Sequence, residues 1–372
     1  MGFAYLRAIA CCLAAAVAIS AADAGPKWQM RYFYDQEKSY FQIVDLQFPS
    51  VERGLAVGVI VEGNHEKPAM VTTSDGGKTW QVGRLEEEPV SLFFLNESLG
   101  WMVTSKGLWQ TTEVGKTWKK VGKLPEEIFR VYFTSETTGF AAGIKKKLFQ
   151  TEDGGQHWQP VAAASEPPGD PEYSAYTWIT FVTPRFGIVT GWNMPSQREG
   201  RLPDWVDPEA ATKRRDFPHL SYSLGTNDGG KTWKANSSST FGEITRVRVQ
   251  PNGTGLGLTE FSNSFRYPAE VYKIDLGTGK SATVYHDPQM AISDIWLTSG
   301  GAAYLAGAQA LGKVRNVVPG KIMVLKGQAP DLTTWTEMPV DYRAVANRVI
   351  FAAADPVHLW MATDQGMILA LQ

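Results

Sequence analysis

Four stretches of the chain place an acidic residue at one point of a shared pattern: TTSDGGKTW at residues 72–80, TTEVGKTW at 111–118, TEDGGQHW at 151–158 and TNDGGKTW at 226–233. The acids are Asp75, Glu113, Asp153 and Asp228. Carboxylates of this kind act as acid, base or nucleophile in glycoside hydrolysis, but that chemistry needs two unlike carboxylates facing each other across one substrate. One residue type repeated at equivalent turns serves folding instead. The pattern, Ser/Thr-x-Asp/Glu-x-Gly-x-x-Trp, reads as a tight turn between two strands. The carboxylate can accept backbone N–H groups two residues on. Gly77, Gly115, Gly155 and Gly230 supply a positive φ. Trp80, Trp118, Trp158 and Trp233 open the next strand and have the area to wedge between sheets. These Asp-boxes are therefore read as structural, and no catalytic residue is assigned to them.

Other chemistry is sparse. Asp204, Asp207 and Glu260 could serve as a glycosidase pair, but nothing in the spacing pairs them. A sialidase would need an Arg-Ile-Pro-type motif in its first repeat, and none is present; Arg31, beside Tyr32 and Tyr34, is the early arginine in a comparable strand. The histidines at 65, 157, 219, 286 and 358 lack metal-ligand spacing. There is no Gly-x-Ser-x-Gly elbow and no phosphate loop, so no cofactor or metal is expected. What remains is basic. Lys145, Lys146 and Lys147 form one triplet, Lys213, Arg214 and Arg215 another, and Arg198, Arg201 and Trp205 lie just before the second.

The elements that must carry these residues are set by a second repeat in step with the first. Short apolar strands opened by a Gly-containing or equivalent turn occur at 53–58 (RGLAVG), 99–104 (LGWMVT), 138–143 (TGFAAG), 186–191 (FGIVTG), 253–258 (GTGLGL), 301–307 (GAAYLAG) and 358–363 (HLWMAT). Each follows an apolar strand of period two, such as IVDLQF at 43–48 or RVYF at 130–133. Each precedes a third strand leading towards a box. Four short strands per repeat of roughly 40–50 residues predict an all-β, seven-bladed β-propeller. The boxes are worn at 273–280 (KIDLGTGK) and 331–338 (DLTTWTEM). The last repeat ends after a third strand, MILALQ, and KWQMRYF at 27–33 resembles the stretch that follows a box. The ring is thus expected to close with the N-terminal strand, Trp28 taking the box-Trp position, which removes a free sheet edge.

Residues 1–24 read as a signal peptide: Arg7, an apolar run over 8–19, and Ala22-Asp23-Ala24 before the expected cleavage. No other run is long enough for a transmembrane helix. Both cysteines, Cys11 and Cys12, lie in this segment, so residues 25–372 have no disulfide or thiolate site. They are expected to form a single propeller domain, exported to a periplasmic, extracellular or thylakoid-lumenal space. The net charge of −2 gives no argument for nucleic acid.

The larger insertions, at 61–70, 193–220, 261–269 and 308–321, fall between second and third strands. Strand alternation puts these connections on the face opposite the boxes, and repeat proteins carry insertions on their binding face. The blade-four insertion is the longest and carries Trp205; with the lysines of blade three it forms a basic sector suited to an acidic partner. Lys106 is expected near it, and Glu86, Glu87, Glu88, Glu126 and Glu127 dilute it. The rhythm of apolar strand, Gly-x-Ala-Val-Gly, then Leu-x-x-Thr-x-Asp-Gly-Gly-x-x-Trp resembles the photosystem II stability and assembly factor family. The match is close in blades one to three and loose after Trp233. The resemblance implies an exported, non-enzymatic propeller that holds a protein partner, such as a membrane-protein subunit under assembly, on an arginine-rich face; a monomer is expected. The alternative is a carbohydrate-active propeller of the glycosidase or sialidase type, with Trp192 and Trp205 as platforms.

Overall fold

The computed structural model describes residues 25–194, 218–261, 268–309 and 319–372. Seven antiparallel sheets stand around an axis. Blade one consists of Ser39–Gln47, Gly54–Glu62, His65–Thr73 and Gln81–Arg84, ordered from the axis outward. The next five blades repeat this, with innermost strands Pro89–Phe94, Ile128–Phe133, Ser174–Phe181, Gly242–Val249 and Met290–Leu297. Every apolar second strand read from the sequence is the second strand of its blade. One difference is the stretch at 61–70. It is no loop but the end of a lengthened hairpin, in which Glu62 pairs with His65 across a turn that places Gly63 at φ 59°.

The seventh blade takes three strands from the C-terminal end, Val349–Ala353, Leu359–Thr363 and Met367–Leu371, and its outer strand, Trp28–Phe33, from the N-terminal end. The pairing runs from Trp28 opposite Leu371 to Phe33 opposite Met367. Trp28 is buried between blades six and seven, 5.7 Å from the Phe351 ring and edge-on to Tyr304. That is the place a box tryptophan takes in other blades.

The core is a series of seams between neighbouring blades. Six seams are crossed near the axis by a side chain bonded to the next blade's backbone. Asp45 Oδ2 accepts from Leu92 N–H at 2.8 Å. Ser91 donates to Phe129 O at 2.8 Å, Tyr132 to Phe181 O at 3.2 Å, and Trp178 Nε1 to Val247 O at 2.7 Å. Arg248 Nε donates to Ile295 O at 3.4 Å, and Asp294 Oδ2 accepts from Phe351 N–H at 2.9 Å. The seam between blades seven and one is aromatic: Phe48 and Trp360 stack at 4.1 Å, and Trp80 closes on both. The inner strands diverge from regular pairing at a one-residue shift, for example between Ile43 and Asp45 and between Ile292 and Asp294. Such bulges re-aim side chains, and here the residue after the shift is one that bridges a seam.

Trp28→Ala would leave a large void where the two ends of the chain meet. We expect a loss of about 3–5 kcal/mol, the range for large-to-small changes at buried aromatics. Urea denaturation measures it, and a loss under about 1 kcal/mol would show that the N-terminal strand is not part of the closing core.

Candidate functional site

The two ends of the barrel differ in what their polar groups do. On the box face, each turn satisfies itself. In the first box Thr73 Oγ1 accepts from Gly77 N–H at 2.9 Å, while Asp75 Oδ1 accepts from Lys78 and Thr79 N–H at 3.0 and 2.9 Å. Asp153 holds Gln156 and His157 N–H in the same way, and Asp228 holds Thr232 N–H. The carboxylate thus reaches three and four residues on, not two, because a second hydroxyl, that of the box threonine, takes the tighter corner. Trp80, Trp158 and Trp233 each donate Nε1 to the carbonyl of Gly77, Gly155 and Gly230. These glycines are required twice over: at Gly230, φ is 89° and a Cβ would stand 2.4 Å from the Phe140 ring of the preceding blade. The residue directly after the box acid also docks on its own blade, as in Gly76 N–H to Glu52 O at 2.8 Å.

The second box departs from this. Glu113 takes the hydroxyl of Thr117, Val114 sits at φ 59° where the other boxes have glycine, and Trp118 Nε1 is buried without a hydrogen-bond partner among the described residues. The worn turn at Asp275 is a short Asx-turn that accepts from Gly277 and Thr278 N–H.

On the opposite face, Lys145 and Lys146 form the corners of a two-residue turn at φ 60° and 56°. This conformation suits Asn-Gly, and here tertiary bonds hold it. Lys145 N–H donates to Ser174 O, and its ammonium pairs with Glu127 and Glu172 at 3.1 and 3.3 Å. Lys147 pairs with Glu127 at 2.6 Å. Lys146 donates to the carbonyls of Pro167 and Gly169 and stands 5.5 Å from the Tyr222 ring. The triplet expected to be a free basic patch is therefore a clasp between blade three and the approach to blade four. Glu127, expected to dilute the patch, is its anchor. Lys106 is exposed. Arg198, Arg201, Trp205, Lys213, Arg214 and Arg215, like Asp204 and Asp207, lie outside the described residues. Trp192 is half-buried in the second strand of blade four. Glu260 is not available as a simple nucleophile, since both its oxygens accept from Arg348 at 2.9 and 3.0 Å. Across the strand pair lies Glu243, whose carboxyl is pushed upward by burial and then by Glu260, against Arg348.

The feature that sequence reading missed lies on the axis. A cavity of about 170 Å³ is lined by Asp45, Arg130, Trp178, Arg246, Arg248 and Asp294, among others. Three guanidiniums approach one indole: Arg130, Arg246 and Arg248 lie 4.6, 4.9 and 5.0 Å from the Trp178 ring. Arg248 also lies 4.4 Å from Trp296. Cations are attracted to these ring faces, the more so when desolvated. Asp294 is 3.4 Å from Arg246 Nε and 4.0 Å from Arg248. Each aspartate is also engaged by backbone, Asp45 by Leu46 and Leu92 N–H, Asp294 by Ile295 and Phe351 N–H. Arg130 Nε is buried and has no hydrogen-bond partner among the described residues. Burial pulls Arg130 down to about 10; Asp45 opposes this, while Arg246 and Arg248 add to it. Burial likewise pulls Arg248 down and pushes Asp45 up. The available signal was a charged residue at one register of the apolar inner strands: IVDLQF, RVYF, TRVRV, SDIW.

No group of three His, Cys, Asp or Glu among the described residues is placed to hold a metal, and no described helix is long and apolar enough to cross a membrane. No family model and no curated protein matches the chain. Solved structures do. A structure of YCF48 bound to D1 peptide matches at TM-score 0.60 and 17% identity, over 92% of this chain and 96% of that one. YCF48 from Cyanidioschyzon merolae matches at TM-score 0.59 and 14% identity, over 93% and 98%. The GH74 xyloglucanase from Xanthomonas campestris matches at TM-score 0.62 and 10% identity, over 92% of this chain but 53% of that one. At these identities the likeness is one of fold.

Two outcomes follow from the boxes. Bonds from Thr79 and Thr232, hydroxyl first and then backbone, hold the Asp75 and Asp228 carboxyls down to about 2. Depressed carboxyls stabilise the fold above their unfolded value of about 3.9, and this is lost as pH falls through the folded value. Urea midpoints should therefore stay level with respect to these groups above about pH 5 and fall between about pH 4 and 2. In the Asp75→Asn, Asp228→Asn double variant that fall should be shallower, and an unchanged profile would remove the boxes as its source. In the second box, Val114→Gly should raise stability by about 1 kcal/mol, the cost of a left-handed backbone at a residue with a Cβ. A loss in the melting experiment would mean that the Val114 side chain contributes more by packing.

Proposed function

We propose that this propeller is a non-enzymatic, exported binding protein that assists the assembly or stability of another protein, and that it meets its partner on the face opposite the Asp-boxes. The observation that carries this is the division of labour between the two faces. The box-face turns at Asp75, Asp153 and Asp228 satisfy most of their polar groups internally, whereas the second and third strands of blades four, five and six end and resume, at Asn193 and His219, Phe261 and Ala269, and Gln309 and Gly320, on the other face, where the sequence carries its larger insertions. The clasp of Lys145, Lys146 and Lys147 supports the reading in a changed role. It fixes the segment around Pro167, Gly169 and Glu172 from which blade four starts. Partner contact then falls to the blade-four insertion, with Arg198, Arg201, Lys213, Arg214 and Arg215 as the charged sector and Trp205 as an aromatic anchor.

The likeness to YCF48, one structure of which carries a D1 peptide, favours a protein or peptide partner. The xyloglucanase likeness keeps the carbohydrate reading in view. Against it stands the engagement of the acidic groups: Glu260, on the second strand of blade five, by Arg348, and Asp45 and Asp294, near the axis, by backbone N–H. A general acid and its partner carboxylate need open approaches to one glycosidic bond. Export after loss of residues 1–24 belongs to the same proposal.

Binding kinetics against the partner recovered from the host envelope test it. Reversing Lys213, Arg214 and Arg215 to Glu should slow association about tenfold at low salt, with the effect shrinking as salt shortens the screening length to about 8 Å or less. Trp205→Ala should mainly speed dissociation. A flat salt response with unchanged association would remove the basic sector, and release of reducing sugar from a polysaccharide would turn the reading to an enzyme.

A further inference from the structure

The axial cluster holds more positive than negative charge in a confined space. Arg130, Arg246 and Arg248 face two carboxylates, Asp45 and Asp294, which are already engaged by backbone N–H groups. Asp294 stands against Arg246 and Arg248, while Arg130 has no carboxylate within ion-pair distance among the described residues. Its Nε–H is buried and without an acceptor. Arg130 as a whole is half-buried, but withdrawing even part of an uncompensated cation from water is costly, and a buried donor without an acceptor adds to that cost. A fold that keeps both at the centre of its ring has room there for the missing acceptor.

We propose that the axial cavity is a binding site for a small free monocarboxylate, held by the guanidinium of Arg130 with Arg246 and Arg248 beside the wall formed by Trp178. Three observations set the chemistry. Guanidinium forks match a planar carboxylate in a bidentate way. The excess is one positive charge, so a monoanion balances it and a dianion overshoots. The cavity, about 170 Å³, is well below the roughly 300–1,000 Å³ of drug-sized ligand pockets, so a ligand of a few heavy atoms fits. Solvent reaches the site, since the side chains of Arg246 and Arg248 keep 17% and 26% exposure. Trp178 is locked by its Nε1 bond to Val247 O and would report occupancy. This site is distinct from the proposed partner face.

The probes are acetate, propionate, inorganic phosphate and chloride at constant ionic strength, with the full chain, read by tryptophan fluorescence and thermal shift. We expect saturable acetate or propionate binding with a rise in melting temperature, and weaker effects of phosphate and chloride. Arg130→Met should raise the melting temperature of the unliganded protein and weaken carboxylate binding at least tenfold. Arg130→Lys, which keeps the charge but loses the fork, should weaken it as well. Absence of saturable carboxylate binding by the wild-type chain overturns the proposal, whatever the variants do. So does tighter binding of phosphate, or carboxylate binding unchanged in Arg130→Lys.

Discussion

Everything in this ring depends on how neighbouring inner strands are tied at the axis. A propeller blade is a small sheet that cannot bury both faces alone, and its stability comes from the blades beside it. Here apolar packing fills each seam, and in six of them at least one side chain reaches the backbone of the next blade. Each inner strand is the free edge of its own sheet, so its backbone groups facing the axis need other partners. Asp45 and Asp294 supply them, each bridging its own strand and the next. Among the described residues the seventh seam shows no such bond from the inner strand, and it is closed by the Phe48–Trp360 stack and by the N-terminal strand locked to Met367–Leu371.

The same constraint explains why charge collects on the axis. Once Asp45 and Asp294 are committed to backbone donors, arginines nearby are only partly neutralised by them. Trp178 and Trp296 accept the guanidiniums on their faces. The box face and the opposite face then divide along the alternation of strand direction. The boxes at Asp75, Asp153 and Asp228 satisfy most of their own polar groups, which leaves their geometry closely similar in blades one, three and four. The other face is released from that regularity, and its clasp at Lys145 and Lys146 shows tertiary bonds holding a turn that local preference disfavours.

Much of the architecture was legible in the residues, because a repeat constrains what its members do. The apolar second strands, six of them opened by glycine, placed all seven blades, and KWQMRYF placed the closing strand with Trp28 at a seam. What was not legible depended on contacts distant in sequence. Lys145, Lys146 and Lys147 read as a surface patch, since nothing local shows that Glu127, Glu172 and the carbonyls of Pro167 and Gly169 receive them. Arg130 read as the first residue of an apolar strand, although the packing of blade three on blade four brings it to Trp178. The stretch at 61–70 read as an insertion because strand length is weakly marked in sequence, while cross-strand pairing carries it to Glu62 and His65.

The account's central claim is that the ring opens as one unit because its seams are bonded across the axis. Native-state hydrogen exchange at the Leu92 and Phe351 amides tests it most directly, since each donates to an aspartate of the preceding blade. Amides held in one cooperative unit exchange only through its global opening. The account predicts that both amides exchange with the free energy of global unfolding, and that Asp45→Ala speeds Leu92 exchange beyond the change in global stability. Exchange of these amides through local openings well below the global free energy, with Leu92 indifferent to Asp45, would contradict it.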